Sequence, residues 1–195
     1  FLDYFPPPRF LEMPAVGLDI SDTDIRFVEI IRTRHGPVLG KYGHRAIPAG
    51  YISSGYVNNK PEVTRLLKEI KDKFKLQFVN TSISEEKAYL FKTKIPWVPR
   101  TQIRETIEFK LEENVPIPAR DTVFDYTLIE RGHKSEHLDV GVSALPSKVV
   151  STYIELLRDA GLVPVSFEIE AHAIRRALIP RGNDGTFMVV KFGDA

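Results

Sequence analysis

The stretch Ala15–Ile31, AVGLDISDTDIRFVEII, limits what this chain can fold into more than any other. Val16–Ile20 is an apolar strand, Ser21–Asp24 a short polar turn and Ile25–Ile31 a second, alternating strand. Two such runs joined by a tight polar turn predict a β-hairpin. The turn is built from Ser, Asp and Thr, whose side chains hydrogen-bond their own backbone in turns. Asp19 stands at the end of the first strand, beside that turn. A carboxylate there, next to turn N–H groups, suits the handling of a metal-bound phosphate. It equally suits a structural role in which Asp19 and Asp22 cap the turn. The residues of the hairpin leave both readings open.

Bulk properties narrow the class. At 195 residues the chain is long enough for one domain or two small ones. A 43% hydrophobic and 27% charged composition is that of a soluble globular protein. The net charge of +1 gives no broad attraction to nucleic acid or to an anionic membrane. With no cysteine there is no disulfide framework and no thiolate metal site, which fits a reducing compartment. No apolar run reaches membrane-spanning length, and no basic segment precedes an apolar core as in a signal peptide. The chain opens on Phe1 rather than Met and closes on Ala195, shortly after an expected strand, so it reads as a piece of a longer protein.

Residues 1–14, FLDYFPPPRFLEMP, form a separate arm. Pro6–Pro8 fix φ and lack N–H donors, so this part is expected to be extended. The arm is either a leader or a docking element that covers Phe1, Tyr4, Phe5 and Phe10, and its aromatic density favours docking. Self-association through it stays open.

Beyond the hairpin, a turn at His35-Gly36-Pro37 leads to a third strand, Val38–Ile47, and then to a Gly-, Ser- and Asn-rich loop, Pro48–Asn59. Pro61 opens a helix to Phe74, in which Val63, Leu66, Leu67, Ile70 and Phe74 follow the helical repeat. Gln77–Ile83 returns as a strand able to lie parallel to a neighbour. Ala88–Ile95 is a half-buried strand broken by Pro96-Trp97-Val98-Pro99. Thr101–Asn114 is a helix with Thr101 as N-cap and an apolar stripe of Ile103, Ile107, Phe109 and Leu111. It stops at Val115-Pro116-Ile117-Pro118 because Pro cannot continue the helical ladder. Strands Thr122–Glu130 and His137–Leu145 flank the polar loop Arg131–Glu136, and Ser147–Ala160 is a helix ended by Gly161. Strand Val163–Ile169, helix Glu170–Leu178, loop Ile179–Gly185 and strand Thr186–Phe192 resume the style of the first segment. The simplest assembly joins both ends into one domain, with residues near 85–161 inserted as an α+β unit.

The search for other chemistry is empty. No P-loop, dinucleotide fingerprint, zinc-protease helix or nucleophile elbow is present. His133 and His137 are four apart, a spacing that serves a metal on a helix, but they fall at a loop and a strand edge. The glutamates of Glu105–Glu113 mark a solvated helix face or a face that meets a basic partner.

Three stretches carry a resemblance to a known family. GLDISDTDIRFVE resembles the first phosphate loop of actin-like ATPases, most closely that of the type IV pilus assembly PilM family, relatives of the division protein FtsA. IRETIEFKLEENVPIP is similar to that family's proline-stopped helix. STYIELLRDAGLVPVSFEIEAHAIRRAL resembles its long helix, glycine stop, returning strand and following helix. Order and spacing match from about Ala15 to Phe192.

The resemblance implies an α/β fold. Its parts are a ribonuclease H-like, actin-like first lobe (15–84 plus 162–195), an inserted α+β subdomain (85–161) and a second lobe absent from this chain. It implies an ATP/Mg site in the full-length protein, with Asp19, Ser21, Asp22, Thr23, Asp24 and Arg26 in the first phosphate loop. Lys191 and Gly193 would begin the second. The chain departs from the family there. Lys191 replaces a common Asp, and Asp22 and Asp24 bring negative charge where phosphates lie. Like unit charges about 4 Å apart at an effective dielectric near 20 repel by roughly 4 kcal/mol, so no tight nucleotide is expected in this chain alone.

The role implied is a cytoplasmic adaptor, peripheral at the inner face of the cytoplasmic membrane and reaching the membrane only through partners. Such proteins bind the N-terminal tail of a PilN-like membrane protein in a groove between first lobe and insert, and contact other platform or motor proteins. Tyr89, Phe91, Trp97, Ile107 and Leu111 are the candidates to line that groove. Each is also a natural core residue by spacing, and Trp97, set between two prolines, is the one best placed for recognition. The alternatives are an ATP-hydrolysing or sugar-kinase-like enzyme, or a structural domain with a defunct cleft.

Overall fold

The computed structural model describes residues 15–129, 137–180, 182–183 and 185–190. The N-terminal arm, Arg131–Glu136, Lys191 and Gly193 lie outside the described residues. Internal contacts divide the chain into two compact units. One takes the described residues up to Ile83 together with those from Ile154, and the other is Ser84–Tyr153.

In the first unit, β1 (Ala15–Ile20) buries Val16, Leu18 and Ile20 in strict alternation, as a strand with one face on a core must. The turn after it leads into β2 (Asp24–Thr33), which pairs antiparallel with β1, setting Leu18 opposite Phe27 and Asp19 opposite Arg26. β3 (Gly36–Ala46) continues the meander, with a bulge in the pairing between Val28 and Ile30. Gly43 lies opposite Phe27, and a Cβ there would come within 2.9 Å of the Phe27 ring. That ring in turn packs against Phe74, with centroids 4.7 Å apart. The loop expected over Pro48–Asn59 contains a small hairpin of its own, β4 (Ile52–Ser53) and β5 (Tyr56–Val57).

The helix α1 (Lys60–Phe74) begins where the Asn59 side chain accepts the Glu62 N–H at 3.3 Å, with Pro61 in the first turn. Val63, Leu66, Leu67 and Ile70 are its buried stripe. It carries the chain over to β6 (Phe78–Ile83), which runs parallel to β1 and places Ser82 beside Asp19.

The second unit contains β7 (Tyr89–Pro96), α2 (Arg100–Asn114), β8 (Thr122–Ile129) and β9 (His137–Pro146). Its strands form an antiparallel sheet in the order β7-β9-β8. Ile103, Ile107 and Leu111 of α2 join Ile95, Val115, Phe124, Val140, Val142 and Ala144 in one core. Arg104 lies over the Phe124 ring, 4.3 Å from its centroid, and donates to the Phe124 carbonyl at 3.3 Å. Thr101 is not the N-cap. The cap position is Pro99, without a side-chain hydrogen bond, and Thr101 is already helical. Phe109 also leaves the expected stripe and is exposed, because it stands two residues from Ile107 and therefore on another face.

α3 (Ser147–Asp159) starts in the second unit and from Ile154 belongs to the first, where Leu156, Leu157 and Ala160 are buried. Lys60 of α1 reaches Glu155 at 3.0 Å and Asp159 at 2.9 Å, and hydrogen bonding to these carboxylates raises its pKa above the ordinary lysine value. Gly161, at φ +77°, ends the helix with its N–H on the Arg158 carbonyl at 2.8 Å. β10 (Val163–Ile169) then pairs parallel with β6, and α4 (Glu170–Leu178) follows, tied back by Arg176 to Glu168. The sheet order β10-β6-β1-β2-β3, parallel on one side and an antiparallel meander on the other, is the ribonuclease H-like lobe. The strand expected over Thr186–Phe192 is not formed at 186–190. Phe187–Val190 is apolar enough, but a strand exists only through pairing, and no strand among the described residues pairs with it. No described helix is long and apolar enough to cross a membrane.

Two substitutions test this packing by thermal or denaturant unfolding. Thr81 on β6 is buried, and its hydroxyl has no partner among the described residues, so Thr81→Val is expected to stabilise by about 1 kcal/mol or more. Gly43→Ala forces a methyl group against Phe27 and is expected to destabilise by about 1–3 kcal/mol.

Candidate functional site: the first hairpin turn

The β1–β2 turn closes on itself. The Ser21 N–H donates to the Asp24 carbonyl at 2.9 Å. Its hydroxyl oxygen accepts the N–H groups of Thr23 at 3.3 Å and Asp24 at 3.1 Å, and donates to Asp24 Oδ1 at 2.9 Å. One serine thus satisfies the backbone donors two and three residues after it. Arg26, two residues along β2, brings Nε to 2.8 Å and Nη2 to 2.7 Å of Asp24 Oδ2. Because Arg26 is 61% exposed, that ion pair adds little stability in water, but it commits the Asp24 carboxylate.

The other two carboxylates are committed as well. Asp19 accepts the Ser82 hydroxyl from the adjacent parallel strand. Asp22 accepts the backbone N–H of Ser54 at 2.5 Å on Oδ2 and that of Gly55 at 3.1 Å on Oδ1. The Ile47 N–H donates to the Thr23 carbonyl at 2.7 Å and anchors the turn from the end of β3. Thr23 is exposed and Ser21, Asp22 and Asp24 are half-buried.

A phosphate needs converging donors. This turn instead presents carboxylates whose donors all come from the chain, and the N–H groups of Ser21, Thr23 and Asp24 are already used inside it. The described residues of the turn therefore do not fit a nucleotide phosphate by themselves. Among the described residues, no three His, Asp or Glu side chains converge to hold a metal that would offset the charge. Lys191 and Gly193, the expected start of a second phosphate loop, lie outside the described residues.

The candidates for peptide contact separate by burial. Ile107 and Leu111 are 0% exposed and belong to the core of the second unit, so neither lines a surface groove. Their helical spacing marked the face that α2 turns to its sheet. Tyr89 and Phe91 are half-buried and pack on that core from β7. Trp97 is 63% exposed, directly after β7. Leu90 and Phe109 are further exposed apolar side chains of this unit. The pattern reading placed Phe109 in the apolar stripe of α2 and offered neither for peptide contact. It also missed Ser82, Ser54 and Gly55. The last two carried a readable signal, a Ser-Gly pair between the short apolar runs of ISSGYV.

The family model of the type IV pilus assembly protein PilM matches residues 17–194. No curated protein matches the chain. Among solved structures it resembles a chain of the PilM-PilN type IV pilus biogenesis complex, with TM-score 0.77 and 25% identity over 85% of this chain. The chain spans 50% of the length of that relative. It also shares a fold with the cytoplasmic domain of EpsL, an inner membrane component of the type II secretion system of Vibrio cholerae. There the TM-score is 0.53 and the identity 14%, over 78% of this chain and 56% of that one. The match over nearly the whole chain, on a ribonuclease H-like lobe with a small α+β unit inside it, decides the assignment: this chain belongs to the PilM family of type IV pilus assembly proteins.

Proposed function

We propose that this chain serves type IV pilus assembly as an adaptor that binds the N-terminal tail of a PilN-like membrane protein and works at the inner face of the cytoplasmic membrane. The observation that carries this reading is the likeness to the PilM-PilN complex, at 25% identity over 85% of the chain. The hairpin turn supports it from the other side. Its carboxylates take their donors from Ser82, Arg26 and the Ser54–Gly55 backbone, so its chemistry is directed to holding the fold. On this reading ATP and Mg are not needed for the chain to bind its partner.

The tail is received by the apolar surface of the second unit, with Trp97 as anchor and Tyr89 and Phe91, half-buried further back along β7, as additional contacts. A large aromatic side chain at a surface is the usual centre of a protein–peptide contact. Other platform or motor proteins meet the complex through surfaces not specified by these residues.

The test is calorimetric titration of the chain with a synthetic peptide copying the PilN-like tail, with Trp97 fluorescence followed in parallel, and then with Mg-ATP. Saturable peptide binding with a Trp97 signal is expected, and Trp97→Ala, read by calorimetry, should weaken it by about tenfold or more. Saturable Mg-ATP binding with no peptide binding would overturn the proposal.

A further inference from the structure

Asp22 makes contacts that its own turn does not require. The turn is closed by Ser21 and Asp24, while the Asp22 carboxylate reaches out to a hairpin more than thirty residues further along. It meets Ser54 and Gly55, consecutive residues at φ +48° and +74°. Both values are left-handed, as a two-residue loop between strands such as β4 and β5 requires. Gly adopts this backbone freely, whereas Ser adopts it at a cost. Successive N–H groups held in a tight turn form a concavity that binds anions. Here each N–H takes a different oxygen of one carboxylate, Ser54 to Oδ2 and Gly55 to Oδ1.

We propose that the Ser54–Gly55 turn is an anion-binding nest that Asp22 fills from within, so that the chain's own carboxylate occupies a site whose chemistry suits a small oxyanion such as inorganic phosphate. The nest is built by backbone geometry rather than by a charged side chain, which is why it accepts any compact anion with two adjacent oxygens. Filling it joins the β4–β5 hairpin to the β1–β2 turn. With the Ile47–Thr23 backbone bond on the other side, the turn is then fixed without a bound ligand. Opening the site requires only removal of the Asp22 carboxylate, because the contact with Ser54 is exposed to solvent. The adaptor reading is carried by the likeness to the PilM-PilN complex and only supported by these contacts, so it does not fail with this inference.

The experiment compares the full chain with its Asp22→Ala variant, in excess inorganic phosphate and in chloride of matched ionic strength. Loss of two charge-assisted hydrogen bonds should lower the melting temperature of Asp22→Ala by about 3–10 °C in chloride. Phosphate should recover part of that loss and leave the native chain unchanged. In the variant alone, phosphate should also shift the amide resonances of Ser54 and Gly55. Asp22→Asn keeps the side chain's size and one acceptor oxygen, and supplies the same resonance readout should the alanine variant not fold. Equal responses of native chain and variant to phosphate, or unmoved Ser54 and Gly55 resonances in the variant, would overturn the proposal.

Discussion

The position of β1 governs the first unit. It is hydrogen-bonded on both edges, parallel to β6 on one side and antiparallel to β2 on the other. Alternation sends Val16, Leu18 and Ile20 into the core and leaves Asp19 on the opposite face, one residue before the turn. Parallel pairing with β6 then places Ser82 against Asp19, and antiparallel pairing with β2 returns Asp24 to Ser21. The turn's polar chemistry follows from strand register. A slip of one residue would exchange the faces and bury Asp19 in place of Leu18.

A half-buried carboxylate must find a donor, and where it finds one decides what the site can do. In this turn every donor is internal. Asp24 is held by Ser21 and Arg26, Asp19 by Ser82, and Asp22 by two backbone N–H groups. A turn of this kind is a fixed joint. That property suits a structural role for the turn. The adaptor reading and the internal occupation of the anion nest thus start from the same bias toward internal pairing, although each stands on its own observation.

Much of the fold was legible because its elements follow simple periods. The alternation in β1 and the α1 stripe Val63, Leu66, Leu67 and Ile70 are local patterns that tertiary structure only had to accept. What the pattern hid was set by contacts distant in sequence. Ile107 and Leu111 share their spacing with surface anchors, and only the presence of a sheet against that face made them core. Thr186–Phe192 has the composition of a strand, but pairing is a property of neighbours, and residues 186–190 have none in the described sheets. Asp22 was recognised as a turn residue from its type, yet its partners lie across the fold at Ser54 and Gly55, beyond the reach of local reasoning. The exit from the second unit fell inside α3 rather than at the Gly161 stop, since a continuous helix offers no break in composition to read.

On the proposed adaptor reading, the chain recognises a protein tail through its second unit and does not use the hairpin turn as a phosphate site. Mapping amide and indole resonances of the isotopically labelled chain, with the PilN-like tail peptide and separately with Mg-ATP, tests it most directly. The expected result is that the peptide shifts the Trp97 indole and neighbouring resonances of Tyr89–Trp97, while Mg-ATP leaves Asp19–Arg26 unmoved. Saturable Mg-ATP shifts centred on Ser21–Asp24, with no response of Trp97 to the peptide, would contradict it.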